Sequence, residues 1–117
     1  MFELTGLDGS KLLVSAGSIF RIRPATPTEG ADTVKVEDGG GYVFTKESVD
    51  DLLDRLAGQV RLVKLTSRSG VHVHLNVGSI TRVREALAIN GPGTEISVAG
   101  HYQHVVETVE EVTRLIA

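Results

Sequence analysis

Apolar and polar residues alternate from the first positions of the chain. Phe2 and Leu4 flank Glu3, and Leu12 and Val14 share one face beyond a turn at Leu7-Asp8-Gly9-Ser10. A period of two places every second side chain on the same face, the signature of a half-buried strand. A third strand is predicted through Ile19 and Ile22, followed by a loop over Pro24-Ala25-Thr26-Pro27. In a fourth, Val34 and Val36 alternate with Lys35 and Glu37, and Gly39-Gly40-Gly41 turns the chain into a fifth around Tyr42 to Thr45. The period then changes. Val49, Leu52, Leu53 and Leu56 recur at helical spacing behind Ser48-Val49-Asp50-Asp51. That tetrad is a capping box: the Ser48 hydroxyl accepts from an orphan amide while Asp51 reaches back to the cap. Gly58 ends the helix.

The same series then runs again. At an offset of 61, Leu4-Thr5 falls on Leu65-Thr66, Gly9 on Gly70, Gly17-Ser18-Ile19 on Gly78-Ser79-Ile80, and Arg21 and Arg23 on Arg82 and Arg84. These eight identities lie within residues 4–23, where chance gives about one, so an internal duplication is expected. The offset moves to 62 where Val34 and Val36 meet Ile96 and Val98. It is 60 where Tyr42 meets Tyr102, Glu47 meets Glu107 and Val49 meets Val109. Each drift falls at a Gly-rich stretch, where surface turns tolerate insertions. Thr108-Val109-Glu110-Glu111 repeats the capping box, and Val109, Val112, Leu115 and Ile116 repeat the apolar helix face. The expected units are residues 1–58 and 59–117. A unit of this size has a marginal core, and the Gly58-Gln59 joint is too short to hold two domains apart. The predicted fold is therefore α+β and mostly β: two strand-rich units, each a small twisted sheet or partial barrel closed by a helix, packed as a pseudo-two-fold dimer.

The order of an opening strand ending in Leu-Thr, a Gly turn, an Ile after a small-residue step, a Gly-rich hairpin and a Glu-Ser-Val helix start resembles the small bacterial flagellar FlbD family. In the first unit the matching residues are Leu4-Thr5, Asp8-Gly9, Ile19 and Glu47-Ser48-Val49. In the second they are Leu65-Thr66, Gly70, Ile80 and Glu107-Thr108-Val109. Similar small proteins occur in phage genomes. The resemblance spans essentially the whole chain and implies a non-catalytic accessory role in a flagellum, or in a virion as a capsid or connector accessory. Members of that family are usually single units, and this chain departs from them by being a tandem.

Charge and composition narrow the function classes. Twelve Lys and Arg against fifteen Asp and Glu leave a net charge of −3. That balance argues against a phosphate-neutralising nucleic-acid binder. There is no cysteine, hence no disulfide or thiolate metal site. No signal peptide or long apolar run is read in the sequence, and a cytoplasmic or virion-associated location is expected. No G-x-S-x-G elbow, phosphate loop or dinucleotide fingerprint is present. The adjacent carboxylates Asp50-Asp51 and Glu110-Glu111 fall on helix first turns, where they complement the dipole. Neither an enzymatic activity nor a cofactor is expected.

Two constellations remain. His72 and His74 lie two apart on a predicted strand, as metal ligands can, with His101 or His104 as a third donor. The simpler reading has Val71, Val73 and Leu75 facing the core and the histidines solvated or at an interface. Arg21 and Arg23, with Arg82 and Arg84, alternate with Ile22 and Val83, so a symmetric molecule would present four arginines on related faces. Such a face suits an acidic protein partner or a phosphate backbone. Alternatively it is solvated and paired with Glu3, Glu37 or Glu85. The function expected is protein binding or self-assembly into a larger structure, through edge strands open to strand addition. The alternatives are a nucleic-acid-binding regulator on the arginine face and a His-dependent metal protein.

Overall fold

The computed structural model describes residues 1–117. Its ten strands are β1 (Phe2–Thr5), β2 (Lys11–Val14), β3 (Ile19–Pro24), β4 (Val34–Asp38), β5 (Gly41–Thr45), β6 (Leu62–Thr66), β7 (His72–Asn76), β8 (Ile80–Glu85), β9 (Thr94–Val98) and β10 (His101–Val105). Its two helices are α1 (Val49–Leu56) and α2 (Val109–Ile116). The chain is α+β and mostly β. No helix is long and apolar enough to cross a membrane.

The order of five strands and a helix runs twice. β3 and β8 begin 61 residues apart, while β4 and β9, β5 and β10, and α1 and α2 all begin 60 apart. The offset of 62 expected at Val34 is therefore corrected. The loop between β8 and β9 is one residue shorter than that between β3 and β4, so the drift runs downward and Val34 corresponds to Thr94. Both β3 and β8 shift register by one bulged residue, Phe20 in one and Thr81 in the other. Gly9 and Gly70 share a φ of 85°, left-handed backbone that a side chain resists, and each sits in the tight turn of an opening hairpin.

The strands do not divide into one sheet per half. β1 and β2 form a separate hairpin, and β8, β9 and β10 form a three-stranded sheet. The β6–β7 hairpin joins the first half instead, giving a five-stranded sheet in the order β5-β4-β3-β7-β6. Its middle is the antiparallel pairing of β3 with β7, in which Arg21 faces Leu75 and Ile22 faces His74. Alternation then sends opposite faces of this sheet into different cores. One core gathers Phe2, Leu4, Val14, Ile19, Ile22, Val34 and Val36 under Leu52 and Leu56 of α1. The other gathers Val63, Leu65, Val73, Leu75, Ile96, Val98 and Val105 with Val112 of α2, and it includes Phe20 from the first half. A bulge re-aims a side chain, and here it delivers Phe20 across the junction.

The helix starts follow the expected caps with one difference. Thr108 accepts from the Glu111 amide at 3.1 Å, and Glu111 reaches back to the Thr108 amide at 3.0 Å. Ser48 accepts from the Asp51 amide at 3.1 Å, but only the second helix has the full reciprocal box. Aspartate is one methylene shorter than glutamate and falls short of the cap amide. Two identities of the repeat also acquire a cause. Glu47 accepts from the Thr5 amide, at 3.4 Å, and Glu107 from the Thr66 amide, at 2.9 Å, each tying a helix entrance to the end of an opening strand.

Candidate interaction surface

The four arginines occupy four different environments. Arg21 is 9% exposed and lies in the five-stranded sheet beside Glu37. Its Nη2 donates to Glu37 at 2.8 Å, and its Nε makes a second, very short contact to the same carboxylate. Its Nη1 reaches the other sheet, donating to the Tyr102 carbonyl at 3.2 Å and to Gln103 at 3.1 Å. Burial pushes the Glu37 carboxyl up, but hydrogen bonds and charge from Arg21, with Lys35 and Arg23 beyond, outweigh it and the net pull is downward. Arg23 is half-buried and forked onto Glu29 at 2.8 and 3.1 Å. That fork and an amide from Thr26 hold the Glu29 carboxyl far below the usual range, while Glu29 raises the Arg23 guanidinium. Arg84 pairs with Glu95 at 2.8 Å. Arg82 is exposed and has no ion pair. Positions equivalent in sequence diverge because Glu37 is replaced at the matching point of β9 by Ser97, the residue facing Arg82.

The histidines are likewise dispersed. His72 is exposed and His74 only 8% exposed, both beside α1 along a shallow depression of about 330 Å³ shared with Asp50 and Lys64. Burial lowers the His74 pKa, and positive charge from Lys64, directly across the strand pair, adds to the effect along with His72; Asp50 opposes it. His101 stacks on Phe20 with ring centroids 4.9 Å apart. His104 contacts the Pro92 carbonyl through Nε2 at 3.0 Å. No three His, Asp or Glu side chains converge as metal donors. Val73 and Leu75 face the core as expected, but Val71 is 42% exposed. A further cleft of about 450 Å³ separates the loop after β3 from the β6–β7 turn. Arg23, Thr26, Ser67, Ser69 and Gln103 supply its polar lining, which has neither carboxylate nor histidine.

What these residues build is a junction. Beside the Phe20 ring and the Arg21 contacts, Asn76 is buried and donates to the Ile19 carbonyl at 2.8 Å while accepting from the Gly78 amide at 3.0 Å. The linker takes part too. Val60 and Leu62 pack on the first core, and Arg61 donates to the Leu115, Ile116 and Ala117 carbonyls at 2.7–3.0 Å, closing the end of α2. Asn76, Phe20 and Arg61 were not singled out in the sequence. The available signal was departure from the repeat: Phe20 stands where β8 has Thr81, and Asn76 where the first half has Ser15.

The junction is one-sided. The strands corresponding to β3 and β7 are β8 and β2, and these do not pair with each other. The reciprocal contact of a closed two-fold is therefore not made at the sheet level. β8 is an edge strand in which Thr81, Arg82, Arg84 and Glu85 are exposed, whereas Ile19, Phe20 and Ile22 of β3 are fully buried. β2 is also an edge, with Leu12 41% and Leu13 56% exposed. Unpaired N–H and C=O groups beside exposed leucines make a template for strand addition.

No protein-family model, curated protein or solved structure matches this chain.

Proposed function

We propose that this protein is a non-catalytic assembly or protein-binding module made of two tandem copies of one strand-rich unit, residues 1–58 and 59–117. The recurring element order with nearly constant spacing supports the duplication. The observation carrying the functional reading is that the edge strands β2 and β8 lack the neighbour that their counterparts β7 and β3 have, and that β2 carries exposed leucines. An edge with exposed leucines, as on β2, costs solubility unless a neighbour adds to it, whereas β8 carries a bulge and the charges of Arg82, Arg84 and Glu85. The dispersion of the histidines and the commitment of Arg21, Arg23 and Arg84 to carboxylates favour this reading over the metal-protein and nucleic-acid alternatives. In the setting implied by the flagellar FlbD resemblance, the module is an accessory of a flagellum or a phage-borne relative in a virion, acting in the cytoplasm or the particle.

The test is solution mass by light scattering on a sizing column, at high and low salt, with affinity capture from the native host. A salt-insensitive mass well above 12.5 kDa, or stoichiometric capture of one protein, is the expected result. A monomer that captures nothing, or that shifts DNA or RNA with steep salt dependence, sinks the reading.

A further inference from the structure

The pairing inside the chain specifies what the β2 and β8 edges receive. β3 pairs with β7, and the corresponding strands β8 and β2 each lack that neighbour. Resting on the assembly reading above, we propose that β8 of one molecule pairs antiparallel with β2 of a second copy of this chain, repeating the internal junction between molecules. The register follows from the repeat. Arg21 faces Leu75 and Ile22 faces His74 within the chain, so Arg82 faces Val14 of the next copy and Val83 faces its Leu13.

Three observations support this partner over an unrelated one. The first is exposure. Thr81 and Arg82 of β8, exposed here, correspond to Phe20 and Arg21 of β3, which are buried, and Leu13, 56% exposed, corresponds to His74 at 8%. The second is the free guanidinium. Arg21 spans the internal junction to the Tyr102 carbonyl. Arg82 is unpaired, and its counterpart target is the carbonyl of Tyr42 in the neighbouring copy. The third is that β8 has the same bulge and arginine spacing as β3, and these features do not prevent β3 from pairing. The added hairpin would extend the three-stranded sheet to five strands, in the order β10-β9-β8-β2-β1, with the last two from the second copy.

This contact is heterologous, so it leaves one β8 and one β2 open at the ends until a ring closes or a filament grows. It is also weaker than the internal junction. Thr81 replaces the Phe20 ring, Ser15 the Asn76 side chain and Ser97 the Glu37 carboxylate that neutralises Arg21, so assembly depends on concentration.

The chain has no cysteine, which makes disulfide trapping clean. Equal amounts of the Val83→Cys and Leu13→Cys chains are mixed and mildly oxidised, and Arg82→Cys with Val14→Cys is run in parallel. Neighbouring antiparallel positions alternate between hydrogen-bonded and closer non-hydrogen-bonded pairs, so one of the two matched pairs comes within disulfide reach. Leu13→Cys with Ile89→Cys is the control, since Ile89 is 89% exposed and lies in the loop after β8, six residues beyond Val83. The expected result is covalent dimer from a matched pair at roughly tenfold the control rate, because pairing raises the local thiol concentration. Leu13→Asp, at an exposed position, is expected to remain folded by circular dichroism and to be monomeric at concentrations where the parent chain associates. Self-association without matched cross-linking, unaffected by Leu13→Asp, overturns this pairing and leaves the assembly reading standing. A monomer at every concentration also overturns it, and the assembly reading then depends on the host-capture experiment alone.

Discussion

At the scale of single residues, identical amino acids at corresponding positions do different work. Arg21 and Arg82 are 61 apart and look interchangeable in the sequence, yet one is locked between two sheets and the other is free. Buried ion pairs are costly to break from one side, because the remaining charge stays desolvated. Arg21→Ala leaves Glu37 buried with Lys35, at 3.9 Å, and the more distant Arg23 as its remaining cations. The expected loss is about 3 kcal/mol in urea unfolding. Arg82→Ala in the monomer is expected to stay within about 0.5 kcal/mol of the parent, as exposed substitutions do. Equal effects at the two positions would mean that the Arg21 contacts contribute little. The alternation with Ile22 and Val83 could be read from sequence, but the inequality could not. It depends on Glu37 standing where the second half has Ser97, and on a carbonyl 81 positions away.

At the scale of elements, most of the molecule was legible because the forces that shape it are local. Alternating Val34 and Val36, the turn glycines Gly9 and Gly70, and the helix starts at Ser48 and Thr108 each act within a few residues, and each lies where the pattern put it. The pairing of β3 with β7 was not legible, since no local pattern names a strand's neighbour across 50 residues. The caps also show where local reading is too coarse. Ser48 with Asp51 and Thr108 with Glu111 are one motif on paper, but only glutamate closes the reciprocal bond. Asp51→Glu is therefore expected to raise the melting temperature, and Thr108→Ala to cost about 1 kcal/mol. The gain from Glu111 carries a pH signature. The Thr108 amide, then its hydroxyl, lower the Glu111 carboxyl below its ordinary value. A depressed carboxylate stabilises above its unfolded pKa, so this contribution is present at neutral pH and is lost as pH falls below 4.5. An Asp51→Glu chain whose added stability persists below that range would show that the new side chain acts by some other route than capping.

At the scale of the whole molecule, the two cores are coupled through a small set of bridging groups. Phe20 leaves the strand that builds the first core and is 1% exposed inside the second, stacked on His101. Asn76 and Arg21 bond across the same seam, and Val60 and Leu62 carry the linker into the first core. Each half alone would expose the strand edge that the other covers, and units of this size bury too little apolar surface to spare it. The chain is therefore expected to unfold as one cooperative unit, with fluorescence of Tyr42 and of Tyr102, isolated by a Phe substitution at the other tyrosine, giving coincident urea transitions. Phe20→Ala tests the coupling. Truncating a buried phenylalanine costs about 4 kcal/mol, but where that loss falls depends on how the halves are joined. If Phe20 only fills the second core, the Tyr102 transition moves to lower urea and the Tyr42 transition stays. If the seam makes the halves interdependent, both move together. The second outcome is expected, because β3 both carries Phe20 and forms the centre of the sheet on which the first core rests. Two separated transitions in the unsubstituted background would mean that the halves are independent folding units.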